Sequence, residues 1–101
     1  MNEKRIMIGD PWNNTCMGKQ DAIDLFEDIP NDVDKIIFDF GNILYVGFLF
    51  VKEYFNLKES IDVNISEINV WDRVQETFDM VEEFGVTISD EKLIQKFIDY
   101  D

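Results

Sequence analysis

Two periods of apolar residues alternate along this chain, and their order predicts its elements. Residues 4–8 read as a short first strand, which the Gly9-Asp10-Pro11 turn closes. Residues 12–17 are polar apart from Trp12 and Met17 and read as a loop. Ala22, Ile23, Phe26 and Ile29 recur at helical spacing over residues 18–29, and Pro30-Asn31-Asp32 stops the pattern. Residues 36–40 are nearly all apolar, as expected of a central strand covered on both faces, and Gly41-Asn42 turns the chain. Over residues 47–57 the apolar positions nearly encircle a helix, so that helix must be buried on more than one side. Ile61, Val63 and Ile65 then alternate with Asp62, Asn64 and Ser66, the mark of a half-exposed strand near the sheet edge. Residues 70–84 form the clearest amphipathic helix, with Gly85 as its C-terminal cap, and Ser89 caps a last helix carrying Leu93, Ile94, Phe97 and Ile98.

Strand, helix, strand, helix, strand, helix, helix is the order of an α/β fold. It implies a small, mostly parallel or mixed sheet with helices packed on it, its parallel pairs joined by right-handed crossovers. No linker, repeat or low-complexity tract interrupts the chain, so residues 1–101 read as a single domain with 86–101 as a C-terminal helical extension.

Composition narrows the chemistry. The chain has 101 residues with 22 Asp and Glu, 9 Lys and Arg, and no His, for a net charge of -13. At 46% apolar residues it should fold, so the charge is not that of a disordered acidic tail. A field of this sign repels polyanions, and direct nucleic-acid binding is not expected. Without His the commonest general base and metal ligand are missing, and the lone Cys16 makes neither a zinc cluster nor an internal disulfide. Cys16 has no basic neighbour to activate it as a nucleophile. No cofactor or metal site is expected. The apolar run at the N-terminus is too short for a signal peptide and no stretch suggests a membrane span, so a cytoplasmic protein with a reduced thiol is expected.

The stretch Lys35-Ile36-Ile37-Phe38-Asp39-Phe40-Gly41-Asn42 resembles the first motif of haloacid-dehalogenase-type phosphatases, and that resemblance would make Asp39 a nucleophile. Only 62 of the 101 residues follow Asp39, too few for the remaining motifs, and Gly41 stands where the second acid belongs. The simpler expectation is that Asp39 ends a central strand and accepts backbone donors of the following turn.

A second resemblance covers residues 18–85. The helix 18–29, the strand 35–40, Asn42-Ile43-Leu44-Tyr45-Val46, the Gly47-Phe48 helix start, the strand 62–66, and Asn69 leading into a helix that ends at Phe84-Gly85 resemble a STAS-type domain, the fold of anti-sigma-factor antagonists. The resemblance implies a non-catalytic module that docks on another protein. The switching antagonists carry a Ser or Thr at the helix start after the central strand; Tyr45-Val46-Gly47-Phe48 here offers none, so a kinase-controlled switch at that place is not expected.

The charge is ordered as well as large. On a helical wheel Val70, Trp71, Val74, Phe78 and Val81 fall within about 100°, and Asp72, Glu76, Asp79 and Glu83 lie opposite, with Glu82 between the two arcs. Successive members of that row climb about 4.5 to 6 Å along the axis, comparable with the spacing of nucleic-acid phosphates. Residues 59–91 hold ten acids against one base, Arg73. The favoured reading is an acidic regulator or inhibitor that docks Asp72, Glu76, Asp79, Glu82 and Glu83 on a basic protein, such as a nucleic-acid-binding enzyme. By analogy this is the manner of the nucleic-acid mimics used against restriction or CRISPR enzymes. The alternative is a STAS-like signalling module in which Phe48, Phe50 and Tyr54 form an apolar face for a partner or for a second copy in a homodimer. A magnesium-dependent hydrolase using Asp39 is the third. Trp12 is expected to cover one end of the core, with an exposed anchor for a partner as the alternative.

Overall fold

The computed structural model describes residues 2–85 and 89–99, except for the side chains at 96, 97 and 99. The chain runs β1 (Glu3–Met7), β2 (Thr15–Cys16), α1 (Lys19–Glu27), β3 (Lys35–Asp39), β4 (Tyr45–Val46), α2 (Phe48–Ser60), β5 (Asn64–Ile68), α3 (Asp72–Phe84) and α4 (Asp90–Asp99). β3 lies between β1 and β5 in a three-stranded sheet, and both pairings are parallel. The protein is α/β, and every ladder of its two sheets is parallel rather than mixed.

Register sorts the strand residues into two faces. Ile36 and Phe38 are fully buried and share a face with Ile6 and Ile65, whereas Lys35 and Ile37 on the other face are half-buried. The helices pack on the Phe38 side. Phe26 of α1 meets Phe38 with ring centroids 5.7 Å apart, and Phe78 of α3 meets Phe40 at 5.6 Å in an edge-to-face pair.

Tyr54 of α2 stands at the centre of this layer with no exposed surface. Its ring lies 5.5 to 6.0 Å from those of Phe26, Phe38, Phe40, Phe50, Phe55 and Phe78. Its hydroxyl donates to Glu67 Oε2 on β5 at 2.5 Å, and Lys58 Nζ donates to the same oxygen at 2.9 Å. Burial first, and then the Glu67 charge, push the phenol well above its ordinary pKa, so it stays a donor. Glu67 thus sits on the helix-facing side of an edge strand without an unanswered charge.

Three boundaries differ from the sequence pattern for identifiable reasons. The third strand of the main sheet runs Asn64–Ile68, later than the alternation at 61–66, because its ladder must align Ile65 with Ile36 and Ile68 with Asp39. α3 starts at Asp72, leaving Val70 and Trp71 off the helical wheel; Trp71 is the extended N-cap residue. The segment expected as a loop at 12–17 contains β2, which pairs Thr15 with Tyr45 and Cys16 with Val46. That small ladder brings Gly47 against residue 17, where an added Cβ would stand 2.2 Å from the Met17 carbonyl oxygen. Only glycine fits there.

Ser89 caps α4 as expected, its Oγ accepting from the Lys92 amide at 3.3 Å, and Leu93 is buried. Lys52 of α2 donates to Asp90 at 2.5 Å, which holds the Asp90 carboxyl below its usual range and ties this helix to the body. Phe97, assigned by the pattern to the same stripe, has its side chain outside the described residues. Among the described residues no helix is long and apolar enough to cross a membrane.

Tyr54→Phe keeps the ring and removes the donor to Glu67, and should lower the unfolding free energy by about 1 to 3 kcal/mol. Tyr54→Ala also empties the aromatic cluster and should cost about 3 to 5 kcal/mol, measured by urea denaturation with circular dichroism.

Candidate functional site

Two surfaces meet at the start of α3. The first is the acidic row. Asp72, Glu76, Asp79, Glu82 and Glu83 are all exposed, while Val74, Phe78 and Val81 on the opposite stripe are buried. Among the described residues none of these five acids takes part in a salt bridge. The one base within α3, Arg73, turns its guanidinium over the Tyr45 ring, 5.1 Å from the centroid, and leaves the row unneutralised. Gln75 Nε2 donates to Asp79 Oδ1 at 3.0 Å and steadies one member of it.

The second surface is the end of the sheet where β1, β3 and β5 deliver their carboxyl termini, the place where α/β folds collect functional groups. Asp39 organises it from beneath. It is 1% exposed, and three groups occupy its carboxylate: Arg5 Nη2 donates to Oδ2 at 2.5 Å, and the Gly41 amide and Asn69 Nδ2 donate to Oδ1 at 2.9 and 3.2 Å. Asn69 reaches Oδ1 from a left-handed backbone, φ 56°, which asparagine tolerates better than most residues. The Arg5 hydrogen bond foremost, and then the Gly41 amide, hold the Asp39 carboxyl below the usual range against the opposing effect of burial.

This geometry matches the turn-holding expectation for Asp39. Arg5 donates to one of its oxygens, and Gly41 and Asn69 donate to the other. Among the described residues no three His, Cys, Asp or Glu side chains converge as metal ligands would. Cys16 is buried, and burial, reinforced by Asp21, pushes its thiol up to about 12, far from a reactive thiolate.

Two expectations are overturned. Phe50 and Tyr54 have no exposed surface, because α1, α3 and β3 close around α2, so these two build the core and offer no surface to a partner; Phe48 is half-buried and packs against that core. Trp12, expected to cover the core, is 94% exposed. Asp10 Oδ1 accepts from the Trp12 and Asn13 amides at 2.8 and 2.9 Å, and Asp10 and Asn13 also exchange backbone hydrogen bonds, so the turn is fixed while its indole stands in solvent. Gly9 makes this turn possible with φ +67°, its missing Cβ leaving room for the Asn13 carbonyl.

Sequence reasoning did not find Trp71 and Leu44 as surface groups. Trp71 is 54% exposed, and its Nε1 donates to the Gly41 carbonyl at 2.9 Å, two residues from Asp39. With Leu44, Asp72 and Arg73 it lines a shallow hollow. The signal available in the sequence was an aromatic just before the first acid of the row, at the position where a helix is capped.

Asp39→Asn leaves an amide facing Arg5 and should destabilise the protein by about 1 to 3 kcal/mol near neutral pH. Because the folded-state pKa of Asp39 is depressed, the carboxylate's contribution is complete above the unfolded value, about 3.8, and is lost as pH falls through the folded one. The stability gap between parent and variant in urea should therefore hold from pH 7 to about pH 4 and close below it; a gap independent of pH would contradict this role.

No protein-family model, curated protein or solved structure matches the chain.

Proposed function

We propose that this protein is a non-catalytic regulator that docks an acidic helix on a basic protein surface, of the kind that nucleic-acid-binding proteins present to phosphates. The observation that carries this reading is the exposed row Asp72, Glu76, Asp79 and Glu83, which makes no salt bridge among the described residues, on a helix whose other side is buried in a packed core.

Like charges three and four residues apart disfavour a helix by a few tenths of a kcal/mol per pair, roughly. Here the core side of α3 offsets that cost through Val74, Phe78 and Val81. A rigid helix holds its carboxylates in a fixed ladder, and so meets a row of Lys and Arg side chains without the ordering entropy that a disordered acidic tail would lose. The net charge of -13 adds long-range steering toward a cationic partner and should make association fast at low salt. The STAS-type resemblance is consistent with a docking module and leaves open which surface it uses.

Immobilised protein should retain basic proteins from a low-salt lysate, and both a salt gradient and duplex DNA should release them. Glu76→Lys, Asp79→Lys and Glu83→Lys together should weaken this retention at least about tenfold while the circular-dichroism spectrum stays unchanged. Undiminished retention by the triple variant, or retained proteins indifferent to duplex DNA, would argue against the docking of this helix in a nucleic-acid groove.

A further inference from the structure

Large apolar side chains on the surface are not scattered. Of the eight that are exposed among the described residues, Met7, Trp12, Met17, Leu44, Tyr45 and Trp71 lie on the strand end and connections at the carboxyl end of the sheet. The connections are in direct contact. The Leu44 amide donates to the Asn14 carbonyl at 2.9 Å, Asn42 Nδ2 donates to the Gly9 carbonyl at 3.4 Å, and Trp71 is bonded to Gly41. The Trp71 indole donates to the Gly41 carbonyl and Asp10 holds the backbone amide of Trp12, while Trp12 is 94% and Trp71 54% exposed. Exposed Trp and Tyr side chains next to an Arg are the groups that dominate protein interfaces, because they bury much area for few rotatable bonds.

We infer that this end of the sheet, with Trp12, Leu44, Tyr45 and Trp71, is the anchoring half of the docking surface, and that it seats in an apolar pocket bordered by Lys and Arg side chains on a basic protein. The inference rests on the proposed docking of α3 and adds the part of the partner that charge alone does not describe. Charge complementarity selects the occupant. Asp72 follows Trp71 directly and begins the acidic row, so a surface that buries Trp71 meets Asp72 and then Glu76. A second copy would bring the same acids and another net charge of -13 against them, and anionic lipid is repelled for the same reason.

The test uses two labelled helical peptides of about 18 residues, five turns, both with Arg along one face. One carries Leu on the other face; in the other, Ser replaces each Leu. In about 0.15 M salt, where surface charge is screened beyond roughly 8 Å, fluorescence anisotropy should show the parent protein binding the Leu peptide at least tenfold more tightly than the Ser peptide, with a blue shift of Trp emission. Trp12→Ser combined with Leu44→Ser, both outside the core, should abolish the preference and leave affinity for the Ser peptide unchanged; Trp71→Ser should act in the same direction. Equal affinity of the parent for the two peptides, or a preference that survives the double substitution, overturns the anchor while leaving the acidic row standing. If the parent binds neither peptide, the docking of α3 falls and the anchor with it.

Discussion

The fold depends on one buried phenol. Tyr54 touches rings from α1, β3, its own helix and α3, and its hydroxyl reaches β5 through Glu67. Each main structural layer therefore shares a contact with one side chain. A ring in that place needs a hydroxyl because Glu67 faces inward from an edge strand, and a half-buried carboxylate without donors is costly. Lys58 supplies the second donor, and among the described residues every buried side-chain polar atom has a partner.

A comparable arrangement at the carboxyl end of the sheet has a different consequence. Asp39 gathers Arg5 from within β1, the turn after β3 and Asn69 after β5, so one carboxylate ties together all three strands of the sheet. The turn it fixes presents the Gly41 carbonyl to Trp71, and the position of that indole is thus tied to the hydrogen bonds around Asp39. Trp12 differs: Asp10 closes the turn through the Trp12 and Asn13 backbone amides, and the ring projects from that turn. Both large apolar groups lie on the surface, contrary to what their transfer preference would choose.

The acids and the core are complementary parts of one helix. α3 can tolerate a row of like charges because its other side contributes three buried side chains to the cluster around Tyr54 and Phe40. Arg73, which could have neutralised the row, is instead engaged with Tyr45 at the apolar end. The result is a surface with an aromatic patch at the first turn of the helix and carboxylates along its length.

The order of strands and helices, the central position of β3, the buried stripe of α3 and the acidic row were all legible in the sequence, because each rests on the spacing of apolar and charged residues within one segment. So was the role of Asp39 at the end of its strand. The two-residue β2 and β4 were not legible: such short strands have no period, and only the parallel approach of two distant connections creates them. The extent of the third main strand was set by its register against β3. Phe50 and Tyr54 looked like a surplus of apolar surface because a segment does not show how many neighbours will cover it. Trp12 and Trp71 carried the opposite error, since hydrophobicity predicts burial and only the assembled turns show both rings on the surface. Local periodicity determined the longer elements; contacts between residues far apart in the chain created the two short strands and decided which apolar groups became core and which became surface.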